Sequence, residues 1–316
     1  MRYPDSWAPS TSSTHYQTIP GGTPGRVNAA HVSSEPPRVL KQGSLPARID
    51  LGAPLGLTLQ LDSDGPAASK VEVLYQLATG AGLGEEARLS LDSSGFTYSA
   101  RIPAQAAEGV LRYAYEIVGK DGAIRRFPHE HALRPMFSVF VSNPVAGGSI
   151  PSARFILPEG NIERVQRFRY GRREGQAQAF PAQGTAAIVL TDHETKASVL
   201  FDYIHIKPRS GGYKVRLHKD RLWRELSTIN ILKMYAPRQT LCESLAFEFH
   251  RRAGVPSSWA DYVQLSIDGK AQGIHLAFEQ PNKSFLRRHD LDDDGNLYKA
   301  IWQGSHQPSP RAYPRG

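Results

Sequence analysis

A single cysteine, Cys242, occurs in this 316-residue chain. That excludes an internal disulfide and a zinc site built from several thiolates. Cys242 lies in a helical pattern, where an inert, partly buried thiol is expected. Long hydrophobic runs are missing as well. No stretch approaches the roughly 18 apolar residues of a membrane span, and residues 1–30 have no apolar core of the kind a secretory signal carries. The patterns of a P-loop, a zinc-protease helix and a serine-hydrolase elbow are absent too. Acidic residues run short in one half only. Residues 1–150 hold 13 Lys+Arg against 13 Asp+Glu, whereas residues 151–316 hold 25 against 17, so the net charge of +8 belongs to the second half. A field of one sign confined there suits an anionic partner or a solvated basic surface, and charge alone leaves both open.

The chain is longer than one typical domain of about 100–200 residues, so two domains with tails are expected. Residues 1–36 are rich in Ser, Thr, Pro and Gly and read as linker or tail, with Trp7 out of place there. Residues 37–142 read as all-β. Leu55, Leu57, Leu59 and Leu61 alternate with Gly56, Thr58 and Gln60, placing apolar side chains on one face. Val71-Val73-Tyr75-Leu77, Leu111-Tyr113-Tyr115-Ile117 and Phe137-Val139-Val141 repeat the period, with turn signals such as Asp64-Gly65-Pro66 and Asp121-Gly122 between them. Six or seven short strands predict an immunoglobulin-like or fibronectin-like sandwich. His129-Glu130-His131 reads as a surface loop, since no further metal ligand is placeable beside it. Residues 143–151 are a linker, and residues 303–316 read as a disordered tail.

Residues 152–302 carry the charge excess. Five arginines between Arg164 and Arg173, with Phe168 and Tyr170, suit an anionic polymer or a solvated stretch. They carry no nucleic-acid fold motif, and nucleic acid is not the expected partner. In the strand Tyr213–Lys219, Lys214, Arg216 and His218 share one face, where they can meet phosphates or simply water. Thr240-Leu241-Cys242-Glu243 has the form of a capping box, opening a helix of about 13–14 residues. Leu241, Leu245 and Phe249 are its predicted core stripe, and Gly254 its left-handed stop. Glu243 either caps this helix or pairs with Lys214; capping explains it without a distant partner. Asp268-Gly269 predicts a two-residue type I′ hairpin, with an irregularity near Gly273. Asp290, Asp292 and Asp294 imitate half of a calcium loop, but Ile301 stands where its last carboxylate belongs, so no metal ligands are assigned.

Strand, helix, hairpin and linker in this order resemble the small lobe of a protein kinase. Several ordered blocks then resemble one family, the spore-coat CotH kinase-like proteins. These are Ser210-Gly211-Gly212-Tyr213-Lys214-Val215-Arg216-Leu217, Arg252-Ala253-Gly254-Val255-Pro256, Tyr262-Val263-Gln264-Leu265, Phe278-Glu279-Gln280 and Asp294-Gly295-Asn296-Leu297-Tyr298-Lys299. The resemblance implies an α+β, atypical kinase small lobe behind the sandwich. It also implies ATP with a divalent ion (Mg or Mn) in the intact family member, and a secreted, coat or envelope protein as substrate. Its expected setting is extracellular or envelope-associated, with no membrane span. Lys214 or Arg216 takes the nucleotide-contacting cation of the family, Glu243 the helix carboxylate, and Glu279 and Gln280 the adenine linker. The compressed Lys207–Gly212 run departs from the family pattern. The family's catalytic aspartates lie beyond the Asp294–Lys299 block, so no catalytic residue is assigned and a piece inactive by itself is expected. The start of the chain, as far as Asn28, resembles the end of a lamin-tail-like β domain.

Overall fold

The computed structural model describes residues 36–143, 149–158, 186–192, 194–195, 197–209, 211–234, 241–295, 297–303 and 307–312. The Trp7 region, the Arg164–Arg173 run and Thr240 lie outside them.

Alternation in the first half produces two facing sheets. Strands β1 (Val39–Gln42), β3 (Leu55–Leu61), β8 (Thr97–Ile102) and β7 (Asp92–Ser94) form one, in the order β1-β3-β8-β7. The other runs β2 (Arg48–Ile49), β11 (Phe137–Val141), β9 (Gly109–Gly119), β4 (Ala68–Thr79) and β5 (Gly82–Leu83). In it β6 (Ala87–Ser90) pairs with β4 and β10 (Ile124–Phe127) pairs with β9. Strand β3 buries each of its four leucines and exposes each residue between them. Those leucines meet Val71, Val73, Tyr113, Tyr115, Ile117 and Val139 across the core, as expected of two inner faces about 10 Å apart.

The second half differs from the α+β expectation in being mostly β. Strands β12 (Ser152–Ile156), β13 (Ala186–Thr191), β14 (Ser198–Arg209), β15 (Gly212–Arg216), β16 (Thr228–Lys233), β17 (Ala260–Ile267) and β18 (Lys270–Glu279) close a barrel. Their order is β12-β13-β14-β15-β16-β18-β17, and parallel pairing of β17 with β12 completes the ring. Closure removes the free sheet edges, which is why so small a unit needs few helices. The interior holds Phe155, Ile188, Ile204, Tyr213, Val215, Ile229, Ile231 and Leu265. Strand β16 was not foreseen, although Ile229 and Ile231 flank Asn230 at period two. A last hairpin joins β19 (Tyr298–Gln303) to β20 (Gln307–Ala312), the second of them in the stretch expected to be a tail.

The Asp268-Gly269 hairpin is a type I′ turn with φ of 50° and 76°, and the ladder slips beside Gly273. Helix α1 (Cys242–Arg252) is shorter than expected, at 11 residues. Its N-cap is Leu241, with no side-chain cap, and Glu243 sits exposed in the first turn; the predicted capping box needs Thr240, which lies outside the described residues. Gly254 (φ 74°) ends it as expected, with the Val255 N–H donating to the His250 carbonyl and the Gly254 N–H to that of Arg251. The predicted core stripe is overturned: Leu241, Leu245 and Phe249 are 58%, 60% and 70% exposed. The helix instead lays Ser244 and Phe247 on the barrel, where Ser244 meets the Tyr262 hydroxyl at 2.7 Å and Phe247 stacks on Phe278. That rotation also exposes Cys242. Leu245→Gln is therefore expected to change the urea-unfolding free energy by no more than about 0.5 kcal/mol, whereas a core leucine would cost about 2–5 kcal/mol on truncation.

Sandwich and barrel are welded through β14. Residues 201 to 204 point in, out, out and in, because a bulge opposite β13 puts Tyr203 at φ 56°. Two successive side chains thus face the sandwich. Tyr203 packs on Ala114 and Met136, and Asp202 takes a bidentate pair from Arg112 at 2.9 and 2.6 Å. The Ser138 hydroxyl donates to the same carboxylate at 2.5 Å. Alongside, Ala187, Val189 and Leu200 pack on Ala78, Val110 and Phe140. Asp268 closes the far end of the seam. It accepts from the Leu157 N–H at 2.8 Å, and burial pushes its carboxyl above the usual range.

Candidate nucleotide-binding face

The outer face of β14, β15, β16 and β18 gathers cations from neighbouring strands. Cross-strand pairing sets Lys207 opposite Lys214, Lys214 opposite Asn230 and Asn230 opposite Phe278; the next row sets His205, Arg216 and Thr228 side by side. Lys214 is half-buried and Arg216 exposed. Asn230 is 4% exposed, and its Nδ2 donates to Gln280 Oε1 at 3.3 Å. Its Oδ1 is buried without a partner among the described residues. Lys214, Arg216 and Gln280 therefore share one face, with Asn230 as the link that sequence reasoning missed. Helix α1 lies over the same face, beside Phe278, and carries Glu243 in its first turn.

Glu279 is turned the other way. It sits on the inner side of β18, 1% exposed, in an ion pair with Arg288 of the short helix α2 (Lys283–Arg288), and it accepts from the Trp259 N–H at 3.2 Å. Asn282 caps α2 by accepting from the N–H groups of Ser284 and Phe285. The linker N–H groups are engaged as well: that of Glu279 donates to the Trp259 carbonyl at 2.8 Å, and that of Gln280 to the Thr228 carbonyl at 3.2 Å. Pro281 has no N–H. An adenine would consequently meet the linker through side chains such as Gln280 rather than through these backbone donors.

The loop between β14 and β15 is tight by necessity. Gly211 has φ 81°, and a Cβ on Gly212 would fall 2.0 Å from the Ile231 carbonyl oxygen. The acidic group Asp292-Asp293-Asp294 is drawn together within 4.8 Å, yet Arg287 holds Asp293 at 2.7 Å and Lys283 approaches Asp294 at 3.6 Å. Neighbouring cations already balance two of those three carboxylates. No described helix is long and apolar enough to cross a membrane.

Sandwich, barrel and overlaid helix define a mostly β protein whose second part carries Lys207, Lys214 and Arg216 on neighbouring strands. Residues 208–312, a third of the chain, match the family model described as CotH kinase protein. No curated protein matches the chain. Among solved structures, domains 5–6 of the S-layer protein SbsC are 10% identical, with 83% of this chain and 88% of that one covered at a TM-score of 0.21. The collagen adhesin (CNA) from S. aureus is 12% identical, covering 78% and 82% at a TM-score of 0.15. Overlaps of that size carry no argument about this chain.

Proposed function

We propose that the barrel with α1 is the nucleotide-binding small lobe of a CotH-type atypical protein kinase. The observation carrying this reading is the strand order β14-β15-β16-β18-β17, with α1 inserted between β16 and β17 and laid over the face that bears Lys214 and Arg216. Protein kinases use a strand lysine, a helix glutamate and a covering glycine-rich loop to hold ATP phosphates. Lys214, Glu243 and the Gly211-Gly212 turn are the groups offered here. The strand face itself supplies cations and amides, a donor set that fits phosphate oxygens rather than a metal. A divalent ion would arrive on the ATP. Lys214, Arg216, Asn230 and Gln280 offer no carboxylate, and Glu243 takes the place of the helix glutamate that holds the lysine rather than that of the catalytic base, so binding without transfer is the expected behaviour of these residues. In the intact family member the acceptor would be a coat, envelope or secreted protein, at the cell envelope or outside it.

A second reading, a non-catalytic binding or scaffold protein of a coat or envelope, is favoured by the exposed Leu241-Leu245-Phe249 stripe. Calorimetry with ATP and Mg or Mn separates the two. Saturable binding that weakens at least about tenfold in Lys214→Ala, matching the loss of a charge-assisted contact, is expected. Absence of any binding heat would leave the scaffold reading standing.

A further inference from the structure

We propose that Gln280 reads the nucleotide base, and that Asn230 holds its amide in the one orientation that prefers adenine to guanine. The inference rests on the nucleotide reading above and deepens it, with Gln280 as the specificity-determining residue and Asn230 as a positioning residue. Asn230 lies in the middle of β16, 4% exposed. Its Nδ2 donates to Gln280 Oε1 at 3.3 Å, and its Oδ1 is buried without a partner among the described residues. An apolar side chain would avoid the loss of stability that an unpaired buried acceptor brings. Packing therefore does not account for Asn230, whereas its bond to Gln280 does.

The Gln280 amide is half-buried and held from two sides. Its Oε1 accepts from Asn230, and its Nε2 donates to the Pro281 carbonyl at 3.4 Å. Turned over, it would set Nε2 against Asn230 Nδ2 and Oε1 against the Pro281 carbonyl. Were Asn230 to turn as well, its two N–H donors would occupy the place where Oδ1 has no partner, and orphaned buried N–H groups are rarer than orphaned carbonyl oxygens. Oε1 keeps a second lone pair and Nε2 a second hydrogen. That fixed order of acceptor and donor matches adenine, whose C6 amine donates beside a ring nitrogen that accepts. Guanine carries an oxygen at C6, which would face Oε1 and pairs only with the amide turned over. The setting agrees. The Gln280 N–H donates to the Thr228 carbonyl, and Thr228 lies opposite Arg216. Gln280 and Arg216 are thus two strand spacings apart, roughly 10 Å, so a nucleotide can lay its base at one and its phosphates at the other, beside Lys214. With the phosphates anchored there, guanine is not free to turn round and exchange the order of its own groups.

Calorimetry of the full 316-residue chain with Mg-ATP and with Mg-GTP tests this. ATP is expected to bind at least about tenfold tighter than GTP, the scale of one bidentate amide–base pair. Gln280→Leu should erase the difference by loss of ATP affinity. Asn230→Leu should erase it chiefly by gain of GTP affinity, because the released amide can turn over, and should melt no lower than the parent. Asn230→Asp, whose carboxylate only accepts, should draw Gln280 Nε2 towards it and reverse the preference; it serves as the second variant if Asn230→Leu does not fold. Equal affinities in the parent, or a preference for ATP kept in Gln280→Leu or in a folded Asn230 variant, overturn the inference and leave the nucleotide face standing. Absence of binding by both nucleotides overturns the nucleotide reading itself, and the inference with it.

Discussion

Asp202→Ala is expected to destabilise the chain by about 3–5 kcal/mol, the cost of removing one partner from a buried ion pair. Arg112 and Asp202 are each almost wholly out of solvent and meet through two parallel bonds. Deleting the carboxylate takes the bidentate acceptor from the guanidinium that lies 4.4 Å from the centre of the Tyr203 ring, and removes the acceptor of the Ser138 hydroxyl. Urea unfolding followed by tryptophan fluorescence reads the loss, since Trp223 and Trp259 both pack on the barrel core. The double variant Arg112→Met/Asp202→Leu should recover most of it, because apolar side chains of similar volume replace such pairs at little cost. A loss below about 1 kcal/mol would mean that the pair behaves like a surface one. The seam would then be wetter than its packing implies.

Legibility from sequence followed the length scale of the forces involved. The sandwich was readable because one buried face per strand imposes a period of two, as in Leu55 to Leu61. The type I′ turn at Asp268-Gly269 and the stop at Gly254 were readable because each rests on a local backbone requirement. The barrel was not. Its closure depends on β12 pairing with β17, more than 100 residues away in the chain, and no local signal specifies that partner. The bulge at Asp202-Tyr203 was equally hidden, since its reason is Arg112 on another domain.

The helix stripe misled for a related reason. Leu241, Leu245 and Phe249 have the spacing of a buried face, but that spacing states only that something apolar could lie there. The barrel selects the Ser244–Phe247 side instead, where a hydroxyl bond and a ring stack are available. At the candidate site, the cationic face of β15 could be read from alternation alone. Asn230 and the inward turn of Glu279 required the register of β16 against β18. Placing a side chain on a strand is local; choosing which strand lies beside it is not.

Gly212→Ala is expected to damage both fold and ligand binding, and it connects the two. The added Cβ would lie 2.0 Å from the Ile231 carbonyl oxygen, 2.9 Å from Leu232 Cα and 3.0 Å from the Ile231 carbonyl carbon. All three are backbone atoms, so no side-chain rotation relieves the clash and β15 has to move away from β16. Overpacking of this kind costs about 1–3 kcal/mol, and more where backbone must shift. The ladder bond from the Lys233 N–H to the Gly211 carbonyl, at 2.8 Å, would lengthen with it. Lys214, two residues along the same strand, would leave its place opposite Asn230, so ATP affinity should fall with stability. Gly56→Ala is the matched control, because a Cβ there meets nothing within 4 Å on an exposed strand position. It is expected to stay within about 0.5 kcal/mol of the parent. Thermal melts of the two variants decide the matter. Equal melting temperatures would show that β15 and β16 are not held at the separation that puts Lys214 beside Asn230, and the nucleotide face would lose its geometric basis.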